Sequence, residues 1–166
     1  MKKILLLFGL MAITTLGTLA DTPQLRNLFV AMPDSVMPYL SRNSRLDFID
    51  FIDSKMKAEV TNELGGKSMM TALADDSISI RMNETCSVDL LLLNIKEPVD
   101  SCSKVIALVR TLHIEGDMVE SEVEFYSTKW VRLDGHPPLA TDDERRLSNH
   151  VHTSNILKKI SGKINK

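Results

Sequence analysis

The sequence predicts an α+β fold: N-terminal helices packed on an antiparallel β-meander sheet, followed by a C-terminal helical or irregular tail. Apolar and polar residues alternate through residues 77–133, which is the period of β-strands. Residues 88–95 form the most apolar stretch after the first twenty residues, as in a central strand covered on both faces. Apolar residues recur at helical spacing between residues 25 and 58. We therefore expect N-terminal helices on one face of the sheet.

Residues 1–20 are expected to form a signal peptide. Two lysines follow the first Met, residues 4–17 form an apolar core, and residues 18–20 resemble a small-residue cleavage site before Asp21. The core is shorter than the roughly 18 to 25 apolar residues of a membrane span. We expect cleavage and export to the periplasm or the outside, with no transmembrane span remaining. The alternative is a retained N-terminal anchor helix.

Residues 21–166 have the length of one α+β domain. Loss of the two leader lysines leaves 18 basic residues against 22 acidic ones, a formal charge of −4. A mildly acidic chain has no general electrostatic attraction to nucleic acid, and we expect no nucleic-acid partner.

Two N-terminal helices are predicted from capping patterns. Thr22 can cap a helix that has Pro23 at its first position, and Pro33 should end it. The Ser-x-x-Asp pattern at residues 44–47 is typical of a capping box, and it predicts a second helix over residues 45–58.

The strands follow from alternation and from turn residues. Gly65-Gly66 indicates a hairpin turn, and Pro98 should break the most apolar strand. The acidic residues of the strand ending at Phe125 should all face water. The strands expected in chain order are residues 60–64, 67–73, 78–82, 86–95, 105–114, 119–125 and 130–133.

The C-terminal region is predicted to be helical in part. Residues 141–144 form a second capping pattern, before a polar helix that should end near His150. Apolar residues recur at helical spacing over residues 156–164, which indicates an amphipathic terminal segment.

The two cysteines are expected to remain unbonded to each other. Export favours a disulfide, but Cys86 opens one strand and Cys102 precedes the next. In a meander they lie at opposite ends of a strand, about 30 Å apart, whereas a disulfide needs Cα atoms within about 7 Å. A Cys86–Cys102 bond is the alternative.

Three carboxylates are the candidate catalytic groups. Glu120, Glu122 and Glu124 project from one strand face about 7 Å apart at each step. Carboxylates at such separations can hydrolyse glycosides, although the second group normally comes from another element. The alternative is cross-strand pairing with basic residues, namely Arg110, Lys129 and Arg132.

No metal site is predicted. Asp47, Asp50 and Asp53 could bind a hard cation, but they lie within a helix rather than in a calcium loop. His150 and His152 are two ligands where structural zinc normally has four.

No cofactor or nucleophile motif is complete. Residues 65–68 (Gly-Gly-Lys-Ser) resemble the end of a phosphate-binding loop, but Thr61 stands where that loop needs glycine. Neither Cys86 nor Cys102 has a local histidine signature. We therefore expect no cofactor.

Three stretches carry a family resemblance, namely residues 29–40 (FVAMPDSVMPYL), 45–50 (RLDFID) and 123–130 (VEFYSTKW). Together they resemble an uncharacterised family of small exported proteins from Bacteroides-type bacteria, a domain of unknown function. The resemblance implies the compartment and the group of organisms, and it assigns no activity. Ser35 and Ser77 follow aspartate, as in the O-glycosylation signal of such bacteria, and a turn or cap is the alternative role of each.

The predicted function is a non-catalytic binding or interaction module of the cell envelope, with a protein or envelope component as its partner. A carboxylate-dependent hydrolase using Glu120, Glu122 and Glu124 is the first alternative. A carrier of an apolar ligand is the second, because the chain has nine methionines, and methionine lines adaptable cavities.

Overall fold

A computed structural model describes residues 24–99, 102–114 and 118–152. The helices are α1 (Leu25–Ala31), α2 (Arg42–Asp53) and α3 (Thr141–His150). The strands are β1 (Glu59–Thr61), β2 (Lys67–Leu73), β3 (Ser77–Arg81), β4 (Cys86–Val99), β5 (Cys102–Ile114), β6 (Met118–Ser127) and β7 (Arg132–Leu133). They form a seven-stranded antiparallel sheet in chain order, which confirms the predicted α+β meander.

Helix α1 ends at Ala31, just before Pro33, as predicted. Its N-cap is Gln24 rather than Thr22. Thr22 and the preceding residues, which include the expected signal peptide, lie outside the described residues.

The predicted bounds of α2 are wrong at both ends. The helix begins at Arg42 because the hydroxyl of Ser41 accepts a hydrogen bond from the Ser44 amide at 3.3 Å, so Ser41 is the cap. It ends at Asp53, since Lys55 adopts a left-handed φ of 56°, which terminates a helix.

The predicted break of β4 at Pro98 is also wrong, because the strand continues to Val99. Pairing with β5 is irregular between Asn94 and Val99, so Pro98 lies where the ladder is already interrupted. Ile95 forms a bridge with Leu139 there.

The C-terminal helix ends at His150, as predicted, but its predicted capping box is wrong. Ala140 is the N-cap and makes no side-chain cap. Acidic residues in its first turn stabilise the helix instead, through their interaction with the positive end of the helix dipole. The expected segment at 156–164 lies outside the described residues.

The two faces of the sheet carry separate cores. Helices α1 and α2 cover one face, as predicted. Alternate residues of the strands point to this face, and they include Val88, Leu90, Leu92, Ile106, Leu108 and Tyr126. Helix α3 covers the other face. The intervening strand residues point to it, and they include Leu91, Leu93, Val105, Ala107, Val109 and Phe125. This double coverage explains why β4 and β5 are apolar on both sides.

The register separates the two cysteines. Cys86 opposes Leu112, and Cys102 opposes Val99 at the far end of the same strand pair. The thiol of Cys86 is free, which confirms the expectation for that residue.

Among the described helices, none has the length and apolar character that a membrane crossing requires.

Candidate functional site

A cleft of about 660 Å³ opens on the α1/α2 face of the sheet. Its floor comes from β4, β5 and β6, and its walls come from three connections. The loop at residues 33–40 (the Pro33–Leu40 loop) forms one wall, and the β1–β2 and β3–β4 turns form the others. This volume lies in the range of small-molecule sites.

Arg45 positions the Pro33–Leu40 loop. Its side chain is 1% exposed and lies on the buried face of α2, which also carries Phe48 and Ile49. The guanidinium group donates to the Asp34 carboxylate at 2.9 Å and to the backbone carbonyls of Leu40 and Met32. These bonds join both ends of the loop to the start of α2, and the loop is therefore held as one wall of the cleft.

The β1–β2 turn is organised by Asn62. Its side-chain oxygen accepts from the amides of Leu64 and Gly66 at 3.0 Å each, and its amide donates to Ser68. Gly65 has a φ of 78°, a conformation that glycine adopts without strain. The Gly-Gly-Lys-Ser stretch is thus a hairpin turn, as expected, and it holds Leu64 at the cleft.

Three exposed apolar side chains converge on this cleft. Tyr39, Leu64 and Leu112 are 47%, 71% and 45% exposed, and they come from the loop, the β1–β2 turn and β5. Single exposed apolar residues are common on protein surfaces, whereas a group around a concavity indicates a binding site. Met56 and Val131, which are also exposed, do not line it.

The floor ends in a group of charged side chains from β5, β6 and β7. Arg110 lies 3.2 Å from Glu122 and 4.0 Å from Glu124, and Arg132 lies 2.9 Å from Glu124. Arg110 and Glu122 are direct cross-strand partners. The expected pairing with Arg110 and Arg132 is therefore present.

Tyr126 completes this charged group. Its hydroxyl donates to Glu124 at 3.2 Å. Burial raises the pKa of the Tyr126 hydroxyl, and the Glu124 charge raises it further, so the phenol stays protonated and keeps donating.

The three candidate carboxylates share a face of β6, but they differ in their surroundings. Glu120 and Glu122 are exposed and lie outside the lining of the cleft, whereas Glu124 lines it and is 13% exposed. The expectation that all three face water is wrong for Glu124, because its face of the sheet is the one that carries Tyr126 and the loop. Glu124 is the only one of the three that reaches the cleft.

The other sequence candidates do not converge. Asp53 pairs with Arg26, and His150 lies 3.3 Å from Asp89. Within the described ranges, no three histidine, cysteine or acidic residues are placed to hold a metal. Ser35 is exposed in the loop and Ser77 opens β3.

Cys86 lies in the lining of the cleft as a partly buried thiol. Burial raises its pKa, which disfavours the thiolate form that a nucleophile needs.

Sequence reasoning missed Arg45, Asn62 and Leu112 as parts of the site. Their roles depend on contacts between distant segments and on strand register. The sequence feature that lies nearest to the site is the Met-Pro-Asp-Ser stretch at residues 32–35, which belongs to the family resemblance but does not by itself indicate a cleft, and which forms part of the wall that Arg45 holds.

The fold and the cleft define an α+β protein with a ligand-sized site on one face of an antiparallel meander. The chain belongs to the DUF3256 family, a protein family of unknown function, whose model matches residues 19–158. This confirms the expected membership of a family of unknown function.

A domain of an uncharacterised protein from Porphyromonas gingivalis W83 has a similar structure, with a TM-score of 0.53 and 25% sequence identity. The match covers 66% of this chain and 53% of that one, so the matched part spans about half the length of the solved domain. No curated protein matches the sequence.

Proposed function

We propose that this protein is an exported, non-catalytic binding module of the bacterial cell envelope, and that the cleft is its ligand site. The observation that carries the proposal is the convergence of Tyr39, Leu64 and Leu112 on a cleft of about 660 Å³. The sheet and the Arg45 contacts hold its walls in place without a ligand, as is usual for such sites.

The surroundings of Glu124 favour binding over hydrolysis. Of the carboxylates in the described part of the chain, it alone lines the cleft, and it is flanked by Arg110 and Arg132. A glycosidase needs two carboxylates across the bond that it cleaves, one of them as a proton donor. The contacts of Glu124 with both arginines suit it to holding its neighbours in place.

Anilinonaphthalene sulfonate (ANS), whose fluorescence rises in apolar surroundings, should bind the wild-type protein at one site. Leu112→Asn removes an apolar side chain from the cleft, and we expect it to weaken ANS binding about fivefold, from the loss of roughly half a leucine burial. Fluorescence titration measures both dissociation constants, and circular dichroism checks that the variant is folded.

Met56→Asn is the matched control, because Met56 is also exposed but lies away from the cleft. It should leave ANS affinity unchanged. Equal losses in the two variants, or no saturable binding to the wild type, would contradict the proposal.

Export rests on the leader-like residues 1–20 and on the resemblance to exported proteins of Bacteroides-type bacteria. The structural similarity to a Porphyromonas gingivalis domain supports that origin. In a Bacteroides-type host, mass spectrometry of the tagged protein should find a mature N-terminus at Asp21 in the periplasmic or extracellular fraction. A variant with Leu6→Arg in the apolar core should stay uncleaved. A wild-type protein that retains its first residues in the cytoplasm would refute export.

A further inference from the structure

We infer that the ligand of this cleft is a small monoanionic amphiphile, with an apolar body and one carboxylate-like or sulfonate-like group. This inference rests on the proposed function and adds the chemical class of the ligand. The apolar body would lie on the residues between the Pro33–Leu40 loop and β5. The anionic group would accept hydrogen bonds from Arg110 and Arg132.

The charge of the cleft differs in sign from that of the whole protein. Among the described residues, the charged ones in its lining are Arg110, Arg132 and Glu124, a net charge of +1, while Glu122, the partner of Arg110, lies just outside the lining. Acidic residues exceed basic ones over the whole chain, 22 against 20. A cleft of opposite sign concentrates ligands of the complementary charge, and here that charge is negative.

The cations are also more accessible than the anion beside them. The side chains of Arg110 and Arg132 are 34% and 66% exposed, against 13% for Glu124. The Glu124 carboxylate is already engaged by the Tyr126 hydroxyl. A ligand entering the cleft therefore meets guanidinium groups before it meets the carboxylate.

Both guanidinium groups keep donors for a ligand. Arg110 donates to Glu122 through one terminal nitrogen, while its other terminal nitrogen is 4.0 Å from Glu124, beyond hydrogen-bond distance. Arg132 contacts Glu124 through one terminal nitrogen. Because each guanidinium carries five N–H donors in a fork, both can also donate to the oxygens of a carboxylate or a sulfonate.

The rest of the cleft suits an apolar body of small-molecule size. The apolar lining of the cleft includes the buried side chains of Met37, Met82 and Val88. The exposed side chain of Leu112 also belongs to it. Methionine adapts to ligands of irregular shape. A purely apolar ligand would leave the arginines unmatched, and a purely polar one would leave these side chains without a partner.

A matched pair of dyes tests the inference. ANS and N-phenyl-1-naphthylamine share one ring system, and only ANS carries a sulfonate. We expect ANS to bind about tenfold more tightly, the effect of one charge-assisted hydrogen-bonded group. Decanoate should likewise displace ANS at lower concentration than decanol.

Arg132→Gln should remove most of the preference for ANS while leaving naphthylamine affinity within about twofold, since it takes away one cation of the pair. Lys129→Gln is the control, because Lys129 is an exposed cation outside the cleft lining. It should leave the preference intact.

The outcomes separate the two proposals. Equal binding of both dyes, unaffected by Arg132→Gln but weakened by Leu112→Asn, would overturn the anionic ligand and leave the cleft as a binding site. A preference for ANS that survives Arg132→Gln and Arg110→Gln would also overturn it. Failure of both dyes to bind would overturn the proposed function as well.

Discussion

Replacing Arg45 with methionine is expected to lower the free energy of unfolding by about 3 kcal/mol. Methionine fills much of the same space, but it leaves the buried carbonyls of Met32 and Leu40 without their donor. Each unsatisfied buried group costs about 1–3 kcal/mol. Urea denaturation measures the change, which corresponds to a fall in Tm of roughly 10 °C.

The same substitution should weaken ANS binding, because the Pro33–Leu40 loop loses the group that joins its two ends. Arg42→Met is the matched control, since Arg42 lies on the same helix and is exposed. It should change the free energy of unfolding by less than about 0.5 kcal/mol. If Arg45→Met is equally mild, Arg45 does not anchor the loop.

Asp143→Asn is expected to destabilise the protein by about 2 kcal/mol at pH 7. The buried Asp143 carboxylate accepts hydrogen bonds from the backbone N–H of Asn94 at 2.9 Å and from the side-chain amide of Asn94 at 2.8 Å. It also accepts from Arg146 at 2.7 Å. The two bonds from Asn94 dock α3 on β4, and an asparagine at position 143 lacks the charge that strengthens them. Chemical denaturation measures the loss.

The effect of Asp143→Asn should depend on pH. Burial opposes ionisation of Asp143, but the hydrogen bonds from Asn94 and the Arg146 charge outweigh it and lower the pKa of the carboxyl. Because the pKa is lower in the folded state, the stabilisation is present above the unfolded value of about 4. It is lost as the pH falls toward the folded value.

The difference in stability between wild type and Asp143→Asn should therefore be constant above about pH 5 and shrink below about pH 4. Asp142→Asn is the control, because Asp142 and its partner Arg145 are both exposed, and exposed ion pairs contribute little. A difference that grows on acidification would contradict the role given to Asp143.

The sheet could be predicted from sequence because its strands keep a period of two over long stretches. Residues 88–95 have apolar side chains on both faces of their strand. The structure covers both faces, with α1 and α2 on one side and α3 on the other. The hairpin turn at Gly65-Gly66 could be predicted for a similar reason, since glycine marks it locally.

Helix boundaries were harder to predict because two serines compete as caps. Ser44 stands in a capping pattern, but Ser41 makes the cap. The local pattern does not distinguish them. Arg45 lies in the first turns of the helix that Ser41 caps, and it bonds to the carbonyls of Met32 and Leu40 in the preceding segment, contacts that a local pattern does not encode.

The cleft could not be predicted because it depends on register. Alternation places Glu120, Glu122 and Glu124 on one strand face, but it does not say which face of the sheet that is. The register pairs Glu122 with Arg110 and puts this face under the Pro33–Leu40 loop. That loop contacts the β1–β2 turn through the Glu63 amide, a contact between segments with no shared sequence pattern.

The most direct test of the cleft as the ligand site is a titration of ¹⁵N-labelled protein with ANS, followed by backbone amide chemical shifts. The largest shift changes should occur at Tyr39, Leu64 and Leu112, with those of Met56 and α3 unchanged. Changes centred on α3, or spread evenly over the sheet, would contradict the assignment of the cleft as the binding site.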